Sequence, residues 1–201
     1  VIVRGYLTGS AWRDYQAGNA ISGIKLPQGM KKSQRFDKPL ITPSTKEEAG
    51  KHDLPISCEE VVSKGIVERS LWEQVQETAL SLFDFGSKKA NERGLILVDT
   101  KYEFGTIKNA AGKTQLILAD EIHTQDSSRY WISSSYQDRY TSSEDPEMLD
   151  KEFVRQWLIE QGFMGEGPIP PFSDSYRVDI AMKYMDVYER ITGETFTITP
   201  G

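Results

Sequence analysis

The run Leu95-Ile96-Leu97-Val98 is short, apolar and branched, the pattern of a buried strand. Charge then enters in alternation at Asp99, Lys101 and Glu103, with Tyr102 and Phe104 at intervening positions. A strand sends every second side chain to one face, so this alternation groups the three charged side chains. Asn109-Ala110-Ala111-Gly112 reads as a turn, and residues 114–119 as the returning strand, ended by Asp120 and Glu121. Centred on Ala110-Ala111, this hairpin sets Lys101 opposite Asp120 and Glu103 diagonal to it. Diagonal neighbours lie roughly 7–8 Å apart, close enough for long side chains to converge. A slip of one residue would separate them.

Elsewhere the same patterning predicts a strand over residues 1–6. A tight turn at Gly9 follows, then a helix over 11–17 with Ser10 as its cap. Residues 18–43 are rich in Gly, Pro, Lys and Ser and read as a long connection. Ser57 with Glu60 forms a capping-box pattern for a short helix within 56–65. A longer helix over 70–91 carries Leu71, Val75, Ala79 and Leu82 on one stripe, Trp72 as packing, and Gly94 as its stop. Residues 133–146 are polar and read as a loop. Two further helices are expected, from Asp150 to Gln161 with Phe153, Trp157 and Leu158 inward, and over 173–192 with Tyr176, Ile180, Tyr184, Val187, Tyr188 and Ile191 on a core stripe. These elements make an α+β chain, a mixed or antiparallel sheet packed with helices, and one domain over 1–201.

Composition narrows the functions. The 201 residues carry a net charge of -6, which argues against a general nucleic-acid binder but permits a local basic pocket. The single cysteine excludes an internal disulfide and suits a reducing, cytoplasmic compartment. No apolar run reaches the ~20 residues that span a bilayer, and no membrane partner is expected. His52, one of two histidines, has no partners at zinc spacing and reads as a loop residue.

The charged cluster has two readings. One cation and two carboxylates on a sheet face can hold Mg²⁺ beside a phosphate, or they can simply pair on the solvated face of an ordinary hairpin. The same holds for Asp126-Ser127-Ser128-Arg129. Its hydroxyls and guanidinium suit a phosphate, and equally a solvent loop. Arg4 beside the helix start at Ser10 adds a second candidate anion site.

VDTKYEFG, LADEI and DSSRYW, in this order and with RGYLTGSAW and TPSTK upstream, resemble the motifs of the phosphoribosylaminoimidazole-succinocarboxamide synthase (SAICAR synthetase) family. The resemblance covers essentially the whole chain from Arg4 onward. It implies an ATP-grasp-like architecture and a ligase of purine biosynthesis. ATP and Mg²⁺ would be its cofactors, and carboxyaminoimidazole ribonucleotide and L-aspartate its small-molecule substrates. The nucleotide's carboxylate would be phosphorylated and the aspartate amine would then displace phosphate. By matching motifs, Glu103 and Asp120 stand for the Mg²⁺ ligands and Lys101 for the catalytic cation; Asp99, the second catalytic candidate, would orient Lys101 or reach the metal shell, or else serve as a helper salt bridge. Arg4, Ser10, Lys46, Asp53, Ser128 and Arg129 stand for substrate contacts. Gln125 departs from the family's usual Pro. The family's N-terminal nucleotide-lid domain has no counterpart in this sequence, so that domain is expected as a missing partner of the same protein. The residues alone also allow another ATP-grasp-type ligase, a small-molecule kinase, or an inactive nucleotide-binding fragment.

Overall fold

The structure is a computed structural model and describes residues 1–46, 53–149, 151–165 and 167–197. Its elements are β1 (Ile2–Tyr6), α1 (Gly9–Gln16), β2 (Arg35–Thr42), α2 (Cys58–Ser63), α3 (Arg69–Glu92), β3 (Leu95–Lys101), β4 (Glu103–Lys108), β5 (Thr114–Ala119), β6 (Ser128–Ile132), α4 (Ser133–Thr141), α5 (Glu152–Glu160) and α6 (Asp174–Thr192). Among the described residues the strands form an antiparallel sheet in the order β2-β1-β3-β6 and a separate β4-β5 ribbon. The α+β expectation holds, with every pairing antiparallel.

Leu95 to Val98 is buried at the centre of the larger sheet, as its apolar run requires. Helix α3 covers one face, pressing Ala79, Phe83 and Ala90 onto Val3, Leu95, Leu97, Tyr102 and Tyr130. Burying each of the larger apolar side chains contributes about 1.5–3 kcal/mol. Its buried stripe runs Trp72, Val75, Ala79, Phe83, Gly86 and Ala90, so Trp72 and Phe83 take the places expected for Leu71 and Leu82. Trp72 is packing, as expected. The Ser57–Glu60 capping box is present on α2. No helix among the described residues is long and apolar enough to cross a membrane.

Four local expectations are corrected. The long connection after α1 contains β2, paired with β1. Its charged sequence and Pro39 hid it, but β2 is an edge strand, where proline is tolerated, and Pro39 lies within an irregular stretch of the ladder. Ser128–Ile132 is strand β6, not part of a loop. Residues 133–141 form α4, whose polar sequence is anchored by Tyr136 stacked on Trp131 and on Tyr140. The stripe on α6 is only partly a core stripe: Val187 is fully buried, Ile191 packs against the core, and Tyr188 is exposed. His52 and the helix start expected at Asp150 lie outside the described residues.

Candidate active site

The Leu95–Glu103 stretch is not one continuous strand. It ends its first pairing at Lys101, and Glu103 begins a different ribbon. In that ribbon Glu103 pairs with Ala119 and Lys108 with Thr114. The expected register, with Lys101 opposite Asp120, is therefore off by one. The turn chemistry explains the slip. Asn109 Oδ1 accepts hydrogen bonds from the backbone N–H groups of Ala111 and Lys113, and Gly112 takes φ +73°, so the turn centres on Ala111. Asp120 then lies one residue past the ladder, at φ +64°.

A bulge decides which way Asp99 points. Leu97 pairs with Tyr130, but Asp99 pairs with Arg129, so β3 advances two residues while β6 advances one. The extra residue reverses the alternation. Before the bulge Leu95 and Leu97 face α3; after it Tyr102 does, and Asp99 and Lys101 turn to the opposite face. There Arg4, Asp99 and Arg129 lie in one row across β1, β3 and β6.

The row is tightly bonded. Arg129 Nη1 donates to Asp99 Oδ2 at 2.6 Å, and Arg4 Nη1 reaches the same oxygen at 3.4 Å. Arg4 Nε donates to Thr42 Oγ1 at 3.0 Å and Nη2 to Ser10 Oγ at 3.2 Å. Burial pushes the Arg4 pKa down, opposed by the Asp99 charge. Asp99 is thus the shared partner of buried Arg4 and half-buried Arg129, in place of the expected helper of Lys101. Ser10 lies inside α1 and is not its cap; Thr8 holds that position. Gly9 has φ +57°, and a Cβ there would stand 3.0 Å from the Arg129 guanidinium, so glycine lets α1 begin against that side chain.

This row floors a cavity of about 250 Å³ that Ser10, Arg13, Lys101, Ser127 and Arg155 also line. Five cations and one carboxylate, Asp99, surround it, a composition suited to a polyanion. Sequence reasoning missed Arg13 and Arg155. Arg13 follows from α1 periodicity, but Arg155 comes from α5, and no local signal links it to β3. Within DSSR it is Ser127 that lines the cavity. Ser128 is buried and donates to Thr100 Oγ1 at 2.8 Å.

Lys101 also lines a second, larger and more apolar cavity of about 660 Å³, bounded by α2, α3 and the ribbon. Lys46, Asp53 and Glu103 form its polar end, so Lys46 and Asp53 sit apart from the arginine row. Lys101 Nζ lies 2.7 Å from Glu103 Oε1, and Lys46 Nζ 2.5 Å from Oε2. Asp53 Oδ2 is 4.0 Å from Lys101 Nζ. Lys101 and Lys46 hold the Glu103 carboxyl down to about 2. Glu103 raises the Lys46 pKa, and the charge of Asp120 adds to that effect.

Among the described residues no three His, Cys, Asp or Glu side chains form a metal cluster. An all-protein cage is therefore not the fitting mode. Mg²⁺ typically takes one or two carboxylates and completes its shell with water and phosphate oxygens. The ionised Glu103 with Asp120 at the ribbon end has the donor chemistry for that.

Fold and site together define an α+β protein with a basic cavity suited to an anion, joined through one lysine to an apolar cavity with a charged end of mixed sign. The SAICAR synthetase family model matches residues 1–167, and the chain belongs to that family. The phosphoribosylaminoimidazole-succinocarboxamide synthases of Bacteroides thetaiotaomicron and Bacteroides fragilis are 46% and 47% identical to it over 199 residues. Each alignment covers 98% of this chain and 62% of the relative. A solved SAICAR synthase from Saccharomyces cerevisiae, complexed with SAICAR, superposes with TM-score 0.79 at 37% identity, over 98% of this chain and 61% of that one. The chain thus spans somewhat under two thirds of the length of these proteins.

Proposed function

We propose that this chain carries the substrate side of an ATP-dependent ligase that joins L-aspartate to carboxyaminoimidazole ribonucleotide. The products are the succinocarboxamide, ADP and phosphate. The observation that carries this reading is Lys101, whose side chain borders both cavities. A ligase that activates a carboxylate must bring a phosphoryl donor to an anionic acceptor, and a cation between the two sites serves that transfer.

In this reading Arg4, Ser10, Ser127 and Arg129 hold the phosphate and carboxylate of the imidazole nucleotide, with Arg13 and Arg155 adding charge. Ser128 supports them through Thr100 from beneath. Bidentate guanidinium contacts fix orientation as well as charge. Lys101 neutralises the oxygens that meet during transfer. Lys46 and Asp53 line the nucleotide side, where Asp53 holds Lys101 in place. The carboxylate oxygen attacks the γ-phosphorus of ATP, releasing ADP. The aspartate amine then attacks the acyl carbon, and phosphate leaves with that oxygen. Glu103 and Asp120 would hold Mg²⁺, which supplies charge neutralisation to the ATP phosphates. The part of the relatives' length beyond this chain covers the ATP in this account. Family membership and the names of the Bacteroides relatives support the substrate assignment.

The test is release of inorganic phosphate by the full-length protein. Release that requires ATP, aspartate and the imidazole nucleotide together supports the ligase. Phosphoryl transfer to the nucleotide that proceeds to a stable product without aspartate would identify a kinase instead.

A further inference from the structure

The connection from β5 to β6 is held from a distance by the C-terminal helices. Gln125 Nε2 donates to the Tyr184 carbonyl of α6 at 2.8 Å, and the Tyr184 hydroxyl donates to Asp126 Oδ1 at 3.0 Å. Lys151, just before α5, donates to the Asp126 carbonyl at 3.0 Å. The next residue, Ser127, lines the basic cavity, and its carbonyl accepts the backbone N–H of Lys101 at 2.8 Å. A path of hydrogen bonds therefore runs from the middle of α6 to the backbone of the lysine shared by both cavities. Gln125 is buried, 9% exposed, although a glutamine at a loop position ordinarily faces water. Helix α6 lies beyond the residues that the family model matches.

We propose that Tyr184 is a positioning residue for the basic cavity, acting through Gln125 and Asp126 on Ser127 and Lys101. Tyr184 itself does not line that cavity. The bonds to Gln125 and Asp126 fix the segment from both sides. The backbone carbonyl holds the Gln125 amide, and the phenol holds the Asp126 carboxylate. With either bond removed, residues 125–127 gain freedom, and anion binding must first restore their order. A single hydrogen bond of this kind changes affinity by about threefold to tenfold.

This inference rests on the reading of the cavity as a phosphate site, and binding separates the two. The dissociation constant of ribose 5-phosphate is measured by calorimetry on the full-length protein and its Y184F, Q125A and Y188F variants. Tyr188 lies on the same helix and its hydroxyl bonds only Glu194 among the described contacts, so Y188F controls for damage to α6. Expected are wild-type binding, weakening of about threefold to tenfold in Y184F and Q125A with both variants still unfolding cooperatively above the assay temperature, and wild-type affinity in Y188F. Wild-type affinity in folded Y184F, or equal weakening in Y188F, overturns the role of Tyr184 alone. No binding by the wild-type protein overturns the phosphate reading and this inference together.

Discussion

Asp99 and Arg129 face each other across β3 and β6, with Arg129 Nη1 2.6 Å from Asp99 Oδ2. Arg4 approaches the same oxygen from the other side. The carboxylate is what permits the buried Arg4 and half-buried Arg129 guanidiniums to sit side by side. In D99A the buried Arg4 guanidinium would lose its counter-charge, and losing one partner of a buried pair costs about 3–5 kcal/mol. Urea unfolding of the two proteins checks this expected drop in stability.

Arg129 presents a planar fork, and a lysine would present a single charge. R129K is expected to bind the imidazole nucleotide about tenfold more weakly, with the aspartate KM changed far less. Steady-state kinetics with each substrate varied in turn decide it. Unchanged nucleotide affinity would place the anion elsewhere.

Gly9 is constrained twice, by φ +57° and by the guanidinium of Arg129 3.0 Å from the position of a Cβ. An alanine there costs about 1–2 kcal/mol in backbone strain and pushes Arg129 from its place beside Asp99. G9A should lose stability by that amount in a denaturant titration and should share the affinity loss of R129K.

Glu103 connects stability to pH. Lys101 and Lys46 depress its folded pKa to about 2. The stabilisation is thus fully present above the ordinary glutamate range and is lost as pH falls from about 4.5 toward 2. Stability measured against pH should show a shallower acid limb in E103Q than in the wild type. In the full-length protein, E103A and D120A are each expected to abolish Mg·ATP-dependent product formation while remaining folded by circular dichroism. Wild-type turnover in both would remove them from the metal site.

The parts legible in the sequence were those written in short-range chemistry. The apolar run at Leu95, the capping box at Ser57 and Glu60, and the terminal glycine of α3 each carry their own signal. Arg4, Ser10 and Arg129, brought together around one cavity, could be named from motifs. The bulge at Val98 has no such signal, since no glycine or proline marks it. Without the bulge, Asp99 and Lys101 would face α3. The hairpin register depended on where Asn109 closes its turn, a choice that alanine and glycine neighbours leave open. β2 was obscured because an edge strand tolerates Pro39 and charge. Arg155 reaches the cavity only through tertiary packing.

The most direct measurement of the central claim follows one oxygen. In the proposed reaction the nucleotide's carboxylate oxygen is bonded to phosphorus in the acyl phosphate and leaves with it when aspartate attacks. With ¹⁸O in that carboxylate, the full-length protein should release inorganic phosphate carrying one labelled oxygen per turnover, read by mass spectrometry. Product formation with unlabelled phosphate would contradict it.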